Sequence, residues 1–342
     1  MEQEFKSIAL NNDDVSFTFS KLYIFGDSLS DQGNIFNLTS SVQSIEELLG
    51  VDIPVIPSPP YFEGRFSNGP VWVENLATNL GLTITPSTEL SVSGVQQPVF
   101  TSSFDGATTN QSVNFAFGGA QTGLEGAGDL GNFIPGVLTQ VELFVNDHQE
   151  VGQLADSEAL YIIWAGPNDY QTIPDANPEV VVDNLETAIE SLFELGARNF
   201  MIPNLPDLGQ VPIAQTPNRP VSTEQLTDLT QQHNFLLRET LDELNGSLNG
   251  INLIPLEIDE LFNDIVTNPE EFGLTNISEP CLDSNPIDTA TTLSEGGSSS
   301  SVICDDFAQR LFWDTLHITA TAQEILGEFA LEALTTQSDF FV

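Results

Sequence analysis

Five short runs of almost continuous apolar residues constrain the fold of this chain most strongly. They lie at residues 21–28, 112–119, 159–166, 199–206 and 251–258. Strands that are covered on both faces have such unbroken apolar runs, as is typical of parallel sheets. When helical segments separate the strands, right-handed crossovers connect them into one sheet. The pattern therefore predicts an α/β fold with a parallel sheet of about five strands.

Four further segments have the apolar spacing of amphipathic helices and follow or separate these strands. They lie at residues 69–81, 178–197, 221–246 and 319–334. Ser222 or Thr223 is the expected N-cap of the third helix, and Gly196 is the expected stop of the second. Helices on both faces of the sheet give a three-layer α/β/α architecture.

The long intervals between these elements are rich in Pro, Ser, Thr and Gly. They cover about residues 36–70, 82–111 and 262–310. This composition predicts loops around one core rather than a second domain. We therefore expect a single domain at residues 21–336, an N-terminal extension at 1–20 and a C-terminal tail at 337–342.

The charge balance excludes several kinds of partner. The chain has 50 acidic and 7 basic side chains, a formal net charge of −43. Nucleic-acid binding requires basic groups that neutralise phosphates, so no nucleic-acid partner is expected. No apolar run reaches about 18 residues, so no stable membrane insertion is expected either. An acidic, hydrated surface suits a saline setting, and we expect an extracellular or periplasmic location, although the first residues lack the apolar core of a signal peptide.

Two cysteines, Cys281 and Cys304, flank a polar stretch. A disulfide between them would stabilise the fold by about 3 kcal/mol in the chain-entropy model. Two unrelated thiols are the alternative. The intervening stretch has the composition of a surface excursion, which favours pairing in an oxidising compartment.

The first predicted strand ends in a sequence that can present a nucleophile. In IFGDSLSDQGN, residues 24–34, the strand breaks at Gly26-Asp27 and places Ser28 in the following turn. Functional groups of parallel sheets collect beyond the carboxyl ends of the strands. A serine there exposes its hydroxyl, and its backbone N–H can stabilise an oxyanion. A simple helix cap by Asp27 or Ser28 is the alternative.

A histidine with a carboxylate partner precedes the last helix. Asp314 and His317 stand three residues apart in FWDTLHIT, residues 312–319. An aspartate that binds one imidazole nitrogen leaves the other free to accept a proton from a serine. A cap or a surface pair is the alternative. We expect structural roles for His148 and His233, which lie in helical stretches without a nucleophile motif.

Two other strand ends carry groups that can bind an oxyanion. One run ends in Gly118-Gly119, where the backbone can approach a ligand closely, and another is followed by Asn168. Tight packing of the glycines and a turn at Asn168 are the separate alternatives.

These four blocks, in this order, resemble the GDSL lipases and esterases of the SGNH hydrolase superfamily. The chain looks like the branch of plant-type GDSL lipases and bacterial phospholipase-hemolysins, and the similarity runs from Lys21 to about Gly327. It includes PPYFEGRFSNGPVWVENLA, residues 59–77. The resemblance implies the three-layer, flavodoxin-like SGNH hydrolase fold.

The resemblance also implies a catalytic triad with Ser28 as nucleophile, His317 as general base and Asp314 as its orienting partner. One departure is visible, because Ile318 stands where the family usually has proline after the histidine. This departure removes no chemical group, although it leaves the rigidity of the turn open.

The oxyanion hole implied by the resemblance consists of the N–H groups of Ser28 and Gly119 and the side chain of Asn168. Gly119 is preferred to Gly118 because it lies five residues after Asn114, as in the family's blocks.

We therefore expect a serine esterase or lipase that forms an acyl-enzyme and hydrolyses lipid or fatty-acyl esters. No metal or organic cofactor is expected, because no ligand spacing or phosphate-binding loop is present. A carbohydrate O-acetyl esterase or an acyltransferase is the enzymatic alternative, and a catalytically idle binding protein on the same scaffold is the other. The expected acyl groove is lined by apolar loop residues, namely Ile53, Val55, Ile56, Tyr61, Phe62 and Phe66.

Overall fold

The computed structural model describes residues 19–43, 54–90, 106–128, 130–171, 175–217, 219–282 and 303–337. Almost all of the predicted extension at 1–20 and tail at 337–342 lies outside these ranges. The division of the chain into extension, domain and tail therefore stays a prediction.

A single parallel sheet of six strands forms the centre of the described structure. The strands are β1 Leu22–Gly26, β2 Ile84–Pro86, β3 Ser112–Asn114, β4 Leu160–Trp164, β5 Asn199–Pro203 and β6 Asn252–Leu256. Their order across the sheet is β2-β3-β1-β4-β5-β6. In the register of the two central strands, Leu22 pairs with Leu160 and Gly26 with Trp164. All five predicted strands are present, and the parallel α/β class is confirmed.

The sixth strand corrects the sequence prediction, which placed the whole interval 82–111 in a loop. Ile84–Pro86 pairs with β3 at the edge of the sheet, with Thr85 opposite Val113. Three residues are too few to show a periodic pattern. An edge strand also tolerates a proline, because one side of it needs no ladder hydrogen bonds.

The described helices cover both faces of the sheet. They are α1 Asn34–Gln43, α2 Trp72–Asn79, α3 Ala107–Asn110, α4 Val137–Glu150, α5 Pro167–Tyr170, α6 Pro178–Leu195, α7 Thr223–Ser247, α8 Ile258–Thr267 and α9 Ala320–Gln337. The four predicted helices correspond to α2, α6, α7 and α9. Ser222 caps α7 in a reciprocal pair of hydrogen bonds with Gln225, and Gly196 ends α6.

Three further helices were wrongly assigned to loops by the sequence prediction. Helix α1 extends into the interval 36–70, the short helix α3 lies in the interval 82–111, and α8 extends into the interval 262–310. The apolar spacing of α8 is visible in the sequence as Ile258, Leu261, Phe262 and Ile265. The predicted boundary at residue 258 divided this stripe between a strand and a loop.

The side chains of each strand alternate between two separate cores. In β1, Leu22 and Ile24 pack in the core formed with α2, α8 and α9. Tyr23 and Phe25 point to the opposite face and pack in the core formed with α4, α6 and α7. This alternation follows from the two-residue period of a strand. It confirms the three-layer α/β/α architecture.

The end of β1 lies at the point where the strand order of the sheet reverses. Without the edge strand β2, the remaining five strands have the flavodoxin-like order 2-1-3-4-5 in their own chain sequence. The chain moves to one side of β1 to form β3 and then to the other side to form β4. Ligands of such sheets bind beyond the carboxyl ends of the strands where the order reverses, which here is the turn that carries Ser28.

Candidate active site

The turn after β1 presents Ser28 at the edge of the sheet. A Cβ atom on Gly26 would lie 2.3 Å from the backbone oxygen of Trp164, so only glycine fits beside β4. Beyond it, the N–H of Leu29 donates to the Asp27 carboxylate at 3.0 Å, and the N–H of Ser30 donates to the Asp27 carbonyl at 3.1 Å. Within the described ranges, the N–H of Ser28 has no protein acceptor.

The structure brings Ser28, His317 and Asp314 into one hydrogen-bonded chain. Ser28 Oγ lies 2.8 Å from His317 Nε2, and His317 Nδ1 lies 2.8 Å from Asp314 Oδ2. All three side chains are buried. Asp314 Oδ1 also accepts the backbone N–H groups of Leu316 and His317, at 2.6 and 2.8 Å, which fixes the carboxylate. The serine and the histidine are 289 residues apart in sequence, and the fold places them in contact.

Backbone hydrogen bonds hold the turn that carries His317. The N–H groups of Trp313 and Asp314 both donate to the His317 carbonyl, at 2.7 and 3.3 Å, and Phe312 bridges Ile318. The turn is therefore closed without the proline that Ile318 replaces.

The segment after β3 lies beside the same turn. The N–H of Gly118 donates to Asp31 at 2.8 Å, so this group is already bound. Gly119 has φ +84°, a conformation that favours glycine, and its N–H has no protein acceptor within the described ranges. Asn168 Nδ2 donates to the Ala120 carbonyl at 2.9 Å. A second N–H on the same nitrogen remains for another acceptor.

Two carboxylates, those of Asp31 and Asp169, bind the two ends of the segment 118–122. Asp31 binds Gly118 and three backbone N–H groups of the turn that leads into α1. Asp169 accepts both the N–H and the hydroxyl of Thr122. These two contacts tie the segment to the turn that carries Ser28 and to α5. Neither contact was predicted, although Asp31 lies inside the motif that singled out Ser28.

Three buried carboxyl groups surround the site, and burial dominates their protonation. Burial raises the pKa of Asp27 to about 7. It raises the pKa values of Asp31 and Asp169 to about 6, against the hydrogen bonds that each accepts. The site therefore contains several acids that titrate between weakly acidic and neutral pH.

An apolar cavity of about 90 Å³ opens beside the Ser28 hydroxyl. Ser28, Asn168 and His317 are among its lining residues. The remaining wall is largely aliphatic and aromatic and includes Leu261, Phe262 and Ile265 of α8 with Ala322 and Leu326 of α9.

None of the described residues of the expected acyl groove lines this cavity. Ile56 and Phe66 pack in a small separate core, and the Phe66 ring also lies 5.0 Å from the His317 ring. The Tyr61 hydroxyl binds Asp314. Ile53 lies outside the described residues.

Several known proteins resemble this chain over most of its length. The sequence model of the family described as GDSL-like Lipase/Acylhydrolase matches residues 22–330. The chain belongs to this family. A GDSL esterase/lipase from Arabidopsis thaliana is 26% identical over 334 residues, which covers 90% of this chain and 87% of that protein. The phosphatidylcholine-sterol acyltransferase of Aeromonas hydrophila is 25% identical over 360 residues, which covers 94% of this chain and 92% of that protein.

Two further proteins are similar to this chain. The thermolabile hemolysin of Vibrio parahaemolyticus is 27% identical over 324 residues, with coverage of 94% of this chain and 65% of that protein. Among solved structures, Est24, a carbohydrate acetylesterase from Sinorhizobium meliloti, aligns with a TM-score of 0.47 at 12% identity, over 92% of this chain and 98% of that chain. Family membership makes the chain a GDSL-type carboxylester hydrolase whose chemistry is ester hydrolysis or acyl transfer.

The two cysteines of this GDSL enzyme form the expected disulfide, Cys281–Cys304. The polar stretch between them lies outside the described residues. The pairing is compatible with an extracellular location. No helix in the described part of the chain is long and apolar enough to cross a membrane.

The other two histidines are buried away from Ser28. His148 Nδ1 lies 2.9 Å from the Phe144 carbonyl, and His233 Nδ1 lies 2.9 Å from the Tyr170 hydroxyl. Burial lowers the pKa of His233 to about 3, so this ring stays neutral. In the described ranges, no group of three or more His, Cys, Asp or Glu side chains is placed to hold a metal ion. The expectation that no cofactor is needed stays a prediction.

Proposed function

We propose that this GDSL enzyme is a serine esterase that hydrolyses fatty-acyl esters through an acyl-enzyme on Ser28. One observation carries the proposal. Ser28 Oγ is hydrogen-bonded to His317 Nε2, His317 Nδ1 is hydrogen-bonded to Asp314 Oδ2, and Ser28 and His317 line an apolar cavity. The hydrogen-bond geometry is that of a nucleophile, a general base and an orienting carboxylate.

In the first step, Ser28 Oγ attacks the ester carbonyl carbon while His317 Nε2 accepts the hydroxyl proton. The tetrahedral intermediate then collapses, and the imidazolium returns this proton to the leaving alcohol. In the second step, a water molecule gives one proton to His317 and attacks the acyl-serine. The carboxylic acid leaves, and Ser28 recovers its proton. The Asp314 carboxylate, 2.8 Å from His317 Nδ1, stabilises the imidazolium in both steps.

The negative charge on the tetrahedral oxygen needs donors that are not already engaged. The N–H groups of Ser28 and Gly119 and the second N–H of Asn168 meet this requirement, whereas the N–H of Gly118 is bound to Asp31. Loss of one such donor typically costs about 3 kcal/mol of transition-state stabilisation. We therefore assign the oxyanion hole to Ser28, Gly119 and Asn168.

The cavity favours an acyl chain over a short acetyl group. Its wall beyond Ser28 is apolar, and burying each methylene of an acyl chain contributes about 0.8 kcal/mol. An O-acetyl group would leave most of this wall unfilled. The acyltransferase among the relatives makes transfer to an alcohol instead of water a second candidate for the second step. The disulfide and the acidic surface support an extracellular or periplasmic location.

Hydrolysis of p-nitrophenyl acetate, butyrate and dodecanoate tests both parts of the proposal. Ser28→Ala should lose activity on every ester by at least about 10³-fold, whereas the exposed Ser157→Ala should match the wild type. Ala322→Leu fills the cavity and should lower kcat/KM for dodecanoate more than for acetate. Ala333→Leu, on the same helix outside the cavity wall, should not. Wild-type activity in Ser28→Ala would refute the assignment of Ser28 as nucleophile. An equal loss on all three esters in Ala322→Leu would refute the assignment of the cavity as the acyl site.

A further inference from the structure

Asp314 accepts a fourth hydrogen bond that the sequence blocks do not indicate. Its Oδ1 atom takes two backbone N–H groups. Its Oδ2 atom, which faces His317 Nδ1, also accepts the hydroxyl of Tyr61 at 2.8 Å. Tyr61 is 253 residues away in sequence and enters from the loop that precedes α2.

The Tyr61 ring is held in place by its packing. Tyr61 is only 5% exposed and lies in a small core with Trp313 and the disulfide residue Cys281. The two aromatic rings meet edge to face, with centroids 6.3 Å apart. The N–H groups of Cys281 and Leu282 donate to the carbonyls of Phe312 and Trp313, so this core is part of the segment that carries Asp314. The hydroxyl is therefore positioned rather than free to rotate away.

The direction of this hydrogen bond decides its effect. An ionised carboxylate only accepts, so the Tyr61 hydroxyl donates to Asp314 Oδ2. The donation withdraws negative charge from the oxygen that stabilises the imidazolium form of His317. A weaker stabilisation of the imidazolium keeps the imidazole neutral, and hence able to act as a base, at a lower pH.

We propose that Tyr61 is a positioning residue that moderates the Asp314 charge and so extends activity toward acidic pH. The inference rests on the proposed role of His317 as general base. It concerns the strength of that base rather than the identity of the nucleophile.

Among the described residues, Asp27 of the turn that carries Ser28 acts electrostatically on His317. Asp31 and Asp169 act in turn on Asp27. On the loop that carries Tyr61, Arg65 pairs with Glu74. A substitution of the Tyr61 hydroxyl leaves all of these charges in place, so its effect on the pH profile reports the single hydrogen bond.

Tyr61→Phe removes the hydroxyl and keeps the ring. We expect the acid limb of the kcat/KM profile to move to higher pH by about 0.5 to 1 unit, a three- to tenfold loss on that limb. On the alkaline plateau, kcat/KM should stay within about threefold of the wild type. Tyr161→Phe is the matched control, because it removes another buried tyrosine hydroxyl, which donates to the Asp156 carbonyl and not to Asp314. Its acid limb should not move.

A second readout does not depend on ester hydrolysis. The pH titration of the His317 ring, followed by NMR of ¹³C-labelled histidine and identified by its loss in His317→Ala, should show the same upward shift in Tyr61→Phe. Where Tyr61→Phe does not fold, 3-fluorotyrosine at position 61 provides a stronger donor and should shift the midpoint to lower pH. An unmoved midpoint, a shift of the opposite sign, or the same shift in Tyr161→Phe overturns the proposal. A shifted midpoint in a protein without esterase activity would instead overturn the proposed function and leave the Tyr61 contact standing.

Discussion

Replacement of Asp27 by asparagine should stabilise the protein, and the gain should grow with pH. Asp27 is 2% exposed and follows β1 directly. Its pKa rises from 3.8 to about 7, chiefly through burial, against the hydrogen bond from Leu29 and the attraction of His317. No ion pair between Asp27 and a basic side chain occurs within the described ranges. The amide introduced by Asp27→Asn would retain an oxygen acceptor for the Leu29 N–H and would not titrate.

The direction of this change in stability with pH follows from proton linkage. A carboxyl whose pKa is higher in the folded state favours folding below the unfolded pKa, near 3.8. That contribution is lost as the pH rises through the folded pKa, near 7. The full difference of about 3 pH units corresponds to about 4 kcal/mol at 1.36 kcal/mol per unit. Between pH 5 and pH 7, the advantage of Asp27→Asn should therefore grow by about 2.3 kcal/mol, because half of the Asp27 carboxyls are ionised in the folded protein at pH 7, and it should level off above about pH 8.

Urea unfolding at constant ionic strength, at pH 5, 6, 7 and 8, measures this change in the free energy of unfolding. Asp31 and Asp169 titrate in both proteins, so most of their contribution cancels in the difference, and their electrostatic coupling to Asp27 is smaller than the effect of burial. The exposed Asp264→Asn on α8 controls for the loss of one negative charge. Parallel stability curves for Asp27→Asn and the wild type would show that the Asp27 carboxyl is not protonated in the folded protein, and the reasoning would then fail.

Three other perturbations have defined outcomes. Ser28→Ala with His317→Ala should lower kcat little further than either single substitution, because the two groups act as a unit; multiplicative losses in steady-state assays would contradict this. Raising NaCl from about 0.01 to 1 M shortens the Debye length from about 30 to 3 Å. Because the chain has a net charge of −43, the weaker repulsion between its acidic groups should raise Tm. A flat or falling Tm would show that the acidic groups are already compensated. Cys281→Ala with Cys304→Ala opens a loop with a sequence separation of 23 and should cost about 3.5 kcal/mol in guanidinium unfolding, whereas an unchanged midpoint would refute the chain-entropy estimate.

The parts of the site that were predictable from sequence lie at strand ends or close together in the chain. Ser28 follows a strand whose apolar run is unmistakable, and Asp314 and His317 are separated by only three residues. The carboxyl ends of parallel strands share one edge of a sheet, so strand order brings the segments that carry Ser28, Gly119 and Asn168 near each other.

The missed parts depend on contacts without a local signal. Tyr61 and Asp314 are 253 residues apart, and no periodicity links them. The cavity wall combines α8, α9 and several connecting segments, so its composition is not visible in any one stretch. The edge strand at Ile84–Pro86 is too short for a pattern and depends on its pairing with β3.

Covalent labelling of Ser28 tests the central claim most directly. The protein should react with a long-chain fluorophosphonate, and mass spectrometry of the digested protein should place one adduct on the peptide that contains Ser28. Ser28→Ala should take up no adduct, and His317→Ala should react far more slowly, because the serine loses its base. A label on another residue, or equal labelling of Ser28→Ala, would contradict the assignment of Ser28 as the nucleophile.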